Sequence, residues 1–317
     1  MARAHLGRKA ALQWRVCLAV AALVLGLWAA LLVSVHDSAA SLGDDPGPMA
    51  AQSAPAGGAR AGLALAPTPP SQWSNASHLI IVAGHTVFMG TDLAGPSAET
   101  ERDWYLLDYQ RGQLGWFIDH IKAGVAKAAE DPQSLLIFSG GASRLSAGPR
   151  TEGSSYWLFA DAHQWYTKSE AVAADIKRRA HTEEFARDSY ENLAFSVCRF
   201  RQLAGIYPRH ITLVSLPFKE HRFRALHLKA LRFPSDRFTF VGVGGTSASA
   251  EKGERANSLE PYTKDPYGCR GSLAAKRLER DPFRRAEPYP KGCPEMQGLL
   301  SSCSADIYSG PLPWDPR

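Results

Sequence analysis

The sequence predicts an α/β protein built on a mainly parallel sheet, preceded by one transmembrane helix and a disordered stem. Three observations predict it. Four short apolar runs rich in β-branched residues are bounded by turn residues, helical patterns separate the runs, and twenty consecutive residues near the N-terminus carry no charge. An unbroken apolar run suits a strand buried on both faces, which is the setting of a parallel sheet. Strands that alternate with helices imply right-handed crossovers within one sheet.

Taken in order, residues 1–15 contain Arg3, Arg8, Lys9 and Arg15 and are expected to be a cytoplasmic tail. Residues 16–35, VCLAVAALVLGLWAALLVSV, form the predicted signal anchor. At about 1.5 Å per residue such a segment matches a hydrocarbon core of about 30 Å. Basic residues precede it and Asp37, Asp44 and Asp45 follow, so the positive-inside rule puts the remainder of the chain on the lumenal or extracellular side, in a single-pass type II arrangement of the secretory pathway, Golgi or endoplasmic reticulum. A cleaved signal peptide competes, because Ser38-Ala39-Ala40 offers small residues for a peptidase. The hydrophobic segment exceeds the usual span of about 7–15 residues, which favours the anchor. Residues 36–72 are Ala, Gly, Pro and Ser with few large apolar side chains, too little apolar surface to offset the entropy of ordering, and read as a flexible stem.

The α/β domain is expected over 73–245. Its strands are His78 to Gly84, Ser134 to Gly141, His210 to Pro217 and Arg237 to Gly245. Its helical patterns lie at about 101–129, 153–166, 188–204 and 219–232, and 167–180 reads as a long charged connection. The tail, 246–317, has no long periodic stretch, yet Tyr262, Tyr267, Phe283, Tyr289 and Trp314 call for packing; an irregular wrap over the sheet edge is expected, not a second domain. Asn75-Ala76-Ser77 is an N-glycosylation acceptor, consistent with a lumenal surface. Cys198, Cys269, Cys293 and Cys303 would then sit in an oxidising compartment, where a disulfide stapling the tail is plausible; a buried thiol on an apolar helix face is the alternative for Cys198.

Composition excludes several classes. With 36 Lys+Arg against 31 Asp+Glu the net charge is +5, which does not imply a nucleic-acid partner. Five cysteines without a C-x-x-C pair exclude a disulfide scaffold, a zinc knuckle and a thioredoxin-type centre, and no metal site is expected. No D-x-D, G-x-S-x-G or phosphate-binding G-x-x-x-x-G-K-[ST] motif occurs.

In open α/β sheets ligands bind beyond the carboxyl ends of the strands. Gly84 and His85, the Ser139-Gly140-Gly141 turn, and Lys219, His221 and Arg222 occupy those positions. Glycines let backbone N–H groups approach an anion, although a tight turn needs them equally. Arg187, Asp188, Ser189 and Asn192 open a helix, with Glu184 just upstream, and combine cation, carboxylate, hydroxyl and amide at a helix N-terminus. Such a set can bind a phosphate or carboxylate and supply an acid or base, while Asp188 and Glu191 also read as a capping pair. The basic cluster from Lys219 to Arg224 opposes a helix dipole and is easier to understand with an anion among it.

The strand ending Val82-Ala83-Gly84, the turn at 139–141, Thr151-Glu152-Gly153, the segment Glu184 to Asn192 and the stretch Leu213 to Arg224 together resemble the YdcF/SanA/ElyC-like family, and Arg280-Asp281-Pro282-Phe283-Arg284-Arg285 is similar to its eukaryotic, fungal-type branch. The resemblance spans roughly 78–243; His85 departs from the small residues usual in bacterial members. It implies a Rossmann-like three-layer fold of unestablished specific activity. Bacterial relatives are linked to envelope and carrier-lipid metabolism, and one is reported to bind S-adenosylmethionine. Read from the residues themselves, Glu184 or Asp188 is the candidate base, and with His221 they are the candidate catalytic groups. Gly84, His85, Ser139, Gly140, Gly141, Glu152, Arg187, Ser189, Asn192, Lys219 and Arg222 are the candidate ligand contacts, for an anionic small molecule or lipid phosphate. The cofactor is unknown. A non-catalytic assembly module is the first alternative and an S-adenosylmethionine-binding protein the second.

Overall fold

The computed structural model describes residues Gln72–Pro316. The chain divides into two units, Met1–Ala66 and Pro67–Arg317, and the described residues belong to the second. The expected cytoplasmic tail, anchor and all but the end of the stem therefore lie outside the described residues. Among the described residues no helix is long and apolar enough to cross a membrane.

Five parallel strands form the main sheet: β1 (His78–Ala83), β4 (Ser134–Ser139), β5 (Ala180–Glu183), β6 (His210–Ser215) and β7 (Phe238–Gly242), in the order β5-β4-β1-β6-β7. Two short strands, β2 (Val87–Phe88) and β3 (Trp104–Tyr105), pair antiparallel outside it. The register sets Ile80 of β1 opposite Leu136 on one side and Thr212 on the other. Leu79, Ile80, Ile81 and Val82 are all fully buried, as a central strand covered on both faces requires.

Side chains alternate across the sheet, and each face builds its own core. Ile80, Val82, Leu136, Phe138 and Val214 pack against α1 (Leu114–Glu130), α2 (Glu152–Ala162) and α3 (Glu170–Arg179). In α1 the buried Leu114, Phe117, Ile118, Ile121 and Val125 recur at helical spacing. Leu79, Ile81, Leu135, Ile137, Ile211 and Leu213 pack against α4 (Ser189–Ala204) and the C-terminal tail. The result is a three-layer α/β fold.

Some expectations change. The pattern at 101–129 yields a helix only from Leu114; the residues before it form 3₁₀ turns and β3. The charged stretch at 167–180 holds α3 and leads into β5, whose sequence AHTE carries no apolar run because it is a short edge strand. Residues 219–232 are not one α-helix: Arg222–His227 is a π-helical segment that passes into α5 (Leu228–Leu231).

The tail is more ordered than an irregular wrap. It contains α6 (Ala248–Glu254), α7 (Glu260–Lys264), α8 (Gly271–Glu279) and shorter helices at Tyr289–Gly292 and Gln297–Leu300. Pro261, Pro266, Pro282, Pro288 and Pro294 break it into pieces too short to show a period. Tyr262, Tyr267, Leu273, Tyr289, Met296, Leu299, Leu312 and Trp314 enter the α4-side core, so the tail packs beside α4. Disulfides Cys198–Cys293 and Cys269–Cys303 fasten it, the first to α4. Cys198 is therefore bonded, not a buried thiol.

Candidate functional site

From β1 the chain steps to β4 and β5 on one side, then returns to β6 and β7 on the other. Beyond the carboxyl ends of β1 and β6, where the strand order reverses, lies a cavity of about 730 Å³, in the position general to open α/β sheets. Its wall takes Gly84 and His85 after β1, Ser143 and Arg144 after β4, Glu152 from α2, Arg187 to Ser189 and Asn192 at the start of α4, Lys219 and Arg222 after β6, and Glu254, Lys276 and Arg280 from the tail.

Glu152 opens α2, whose N-cap Thr151 accepts from the Ser154 N–H. A Cβ on Gly84 would stand 2.6 Å from the Glu152 Cβ, and one on Gly140 2.8 Å from it. Both glycines are therefore needed for the helix start to close against the strand ends. Burial raises the carboxyl pKa of Glu152, while a hydrogen bond from the Ser143 hydroxyl at 2.9 Å and the charges of Arg144, Arg280 and Lys219 oppose the shift.

His85 and Lys219 meet across the cavity floor. The His85 Nδ1–H donates to the Ala83 carbonyl at 2.8 Å, which leaves Nε2 to accept from the Lys219 ammonium at 2.7 Å. Burial first, then Lys219 and His120, push the His85 pKa well down and keep the ring neutral. Burial, with the Arg222 charge nearby, lowers Lys219 to about 7. Behind them His120 donates to the Val243 carbonyl at 2.9 Å, its other ring nitrogen has no partner, and burial lowers its pKa to about 4.

Several cations are already neutralised. Arg222 pairs with Glu254 at 3.2 Å, and Arg187 with Glu191 at 2.6 Å and Asp281 at 3.5 Å. Among the described residues Arg144, Lys219 and Arg280 form no ion pair with a carboxylate. The Arg222 Nε is buried and has no hydrogen-bond partner. A wall that carries Arg144, Arg280 and, below about pH 7, Lys219 without an ion-paired carboxylate is suited to an anion.

Gly84, His85, Glu152, Arg187, Asp188, Ser189, Asn192, Lys219 and Arg222 are thus brought together as expected from their sequence positions. Ser139, Gly140 and Gly141 are not. The Ser139 hydroxyl donates to Glu183 at 2.7 Å, and the Gly140 and Gly141 N–H groups donate to the Glu183 and Ala186 carbonyls. They brace the loop after β5 and present no donor to a ligand. His221 is exposed and outside the cavity wall. Glu184 also lies outside it and accepts from the hydroxyls of Thr151 and Thr182.

Asp188 lines the cavity but is a poor base. It caps the Glu191 N–H and pairs with Arg277; burial would raise its carboxyl, but the Arg277 charge and hydrogen bond together with the Glu191 N–H hold it at about 2. Its neighbour Glu191 is pushed up by burial and by Asp188, and accepts from the Arg187 N–H and guanidinium. Arg144 falls in the run after β4 that strand-end reasoning covers, whereas nothing local in the tail points to Arg280.

No family model matches the chain, and no solved structure matches it. The uncharacterized protein YOR238W of Saccharomyces cerevisiae is 32% identical over 120 residues, which is 34% of this chain. The match spans about 40% of the yeast protein's length.

Proposed function

We propose that the chain is a YdcF-like protein with a Rossmann-like domain, held at a membrane by its N-terminal segment, that binds a phosphorylated or nucleotide-like ligand in the cavity beyond β1 and β6. The observation that carries the reading is the convergence of Arg144, Lys219 and Arg280, without a paired carboxylate among the described residues, on one cavity at the sheet's switch point. Such a site fits a diphosphate or a lipid-linked phosphate. Two disulfides and an exposed Asn75 in a turn favour a lumenal domain.

Thermal shift of the full chain in detergent, screened against nucleotides, nucleotide-sugars and short polyprenyl phosphates, tests the reading. Ligand at about a hundredfold excess over Kd should add about 2.7 kcal/mol of apparent stability. The gain should vanish in Arg280→Ala and Lys219→Ala; an unchanged response in both variants contradicts the assignment. A non-catalytic assembly module remains the second reading, favoured by Asp188, Glu184 and His221 all being committed or turned away.

A further inference from the structure

Ser189, the first residue of α4, lies in the cavity wall, and its hydroxyl is 2.7 Å from Nε2 of His227. The His227 ring is fully buried and caged by Tyr190, Phe223 and Tyr262, with ring centroids 6.0, 5.3 and 4.4 Å away. Its Nδ1 has no hydrogen-bond partner, and burial lowers its pKa so that the ring is neutral.

The π-helical segment puts this histidine there. On an α-helix residues five apart lie about 140° from each other. In the π segment, with i to i+5 hydrogen bonds, Arg222 and His227 come to the same side, and π segments are frequent at functional sites. Arg222 lines the cavity, its Nε is buried without a partner, and its charge acts on His227. Asp188 occupies the Glu191 N–H and its carbonyl the Asn192 N–H, so the N–H groups of Ser189 and Tyr190 are the open positive end of α4.

We infer that Ser189 is a nucleophile, with His227 as its base, acting on an ester of an anionic molecule bound in the cavity. The hydroxyl oxygen of Ser189 attacks the ester carbonyl carbon as its proton passes to Nε2 of His227. The developing oxyanion faces the helix N–H groups and Arg222. The intermediate then expels the alcohol, which takes the proton back from His227, and water releases the acyl group by the same steps in reverse roles. The anionic part of this substrate rests on the phosphate-binding reading above; the serine–histidine pair does not.

The test is covalent labelling of the full chain, produced in an oxidising compartment, with an alkyl fluorophosphonate. Oγ–P bond formation expels fluoride, and the serine proton is taken by His227. Peptide mass mapping should place the label on Ser189, with no labelling in Ser189→Ala and a rate about a hundredfold lower in His227→Gln. Mapping on the native chain decides the site even if a variant fails to fold. A native chain that leaves Ser189 unlabelled, or a folded His227→Gln that reacts at the native rate, overturns the inference. Labelling of Ser189 without any thermal response to phosphorylated ligands upholds the nucleophile and removes the phosphate reading instead.

Discussion

Lys219 is cationic only below about pH 7, because burial and Arg222 disfavour its charge. Affinity for a phosphodiester, whose own charge is constant from pH 6 to 9, is therefore expected to fall as pH rises through 7. Lys219→Arg, which stays charged, should flatten that profile in titration calorimetry. Glu183 supplies a different pH effect. Burial raises its pKa to about 7, although Ser139, the Phe185 N–H and Tyr289 all donate to it. The folded state thus binds more protons than the unfolded one between the ordinary carboxyl value and 7, and stability falls as pH rises across that window. The loss is on the order of 3 kcal/mol for a shift of this size, and denaturant midpoints at pH 5 and pH 7.5 should show it. A Glu183→Gln chain should lose most of the difference.

At the scale of elements, the start of α4 joins four functions in five residues: cap, ion pair, cavity wall and candidate nucleophile. Asp188 closes the helix onto the Glu191 N–H and, with Glu191, also holds Arg277 of α8, so the tail and the helix start share the same carboxylates. Asp188→Ala removes the cap and one of the two carboxylates on the largely buried Arg277, which keeps Glu191 at 3.3 Å. The expected cost is that of the cap and one charge-assisted hydrogen bond, about 1–3 kcal/mol, read as a lower urea midpoint with an unchanged slope. Asp188→Asn keeps a capping oxygen and should cost less. The π segment is the second such device, since a regular helix would carry His227 away from Ser189.

Across the whole molecule, the tail supplies cavity wall and core together. Arg280, Lys276 and Glu254 reach the site while Tyr267, Tyr289 and Met296 fill the core beside α4. The Cys198–Cys293 bond closes a loop of 95 residues, and cross-links of that span stabilise by about 2–5 kcal/mol. Paired Cys198→Ser and Cys293→Ser substitutions should lower the melting temperature and, by loosening the tail, weaken ligand binding. A melting curve run with and without ligand separates the two effects.

Which positions would stand at strand ends was readable from local sequence. Buried apolar runs declare strands, strand ends declare where a ligand can reach, and so Gly84, His85, Lys219 and Arg222 were found from spacing alone. Asp188 and Ser189 were found from helix-start chemistry for the same reason. What each group does there was decided by partners far along the chain. Arg277 meets Asp188 across 89 positions and His227 meets Ser189 across 38. Neither spacing carries a signal, because hydrogen bonds and charge pairs form through space once the layers close. Ser139 to Gly141 became bracing for β5, His221 turned to solvent, and Arg280 entered the site only when the tail packed beside α4. The sequence by itself determined the α/β layers and the end of the sheet where the cavity lies; the tertiary structure alone decided which side chains there are buried or paired, since burial and pairing are properties of the packed molecule.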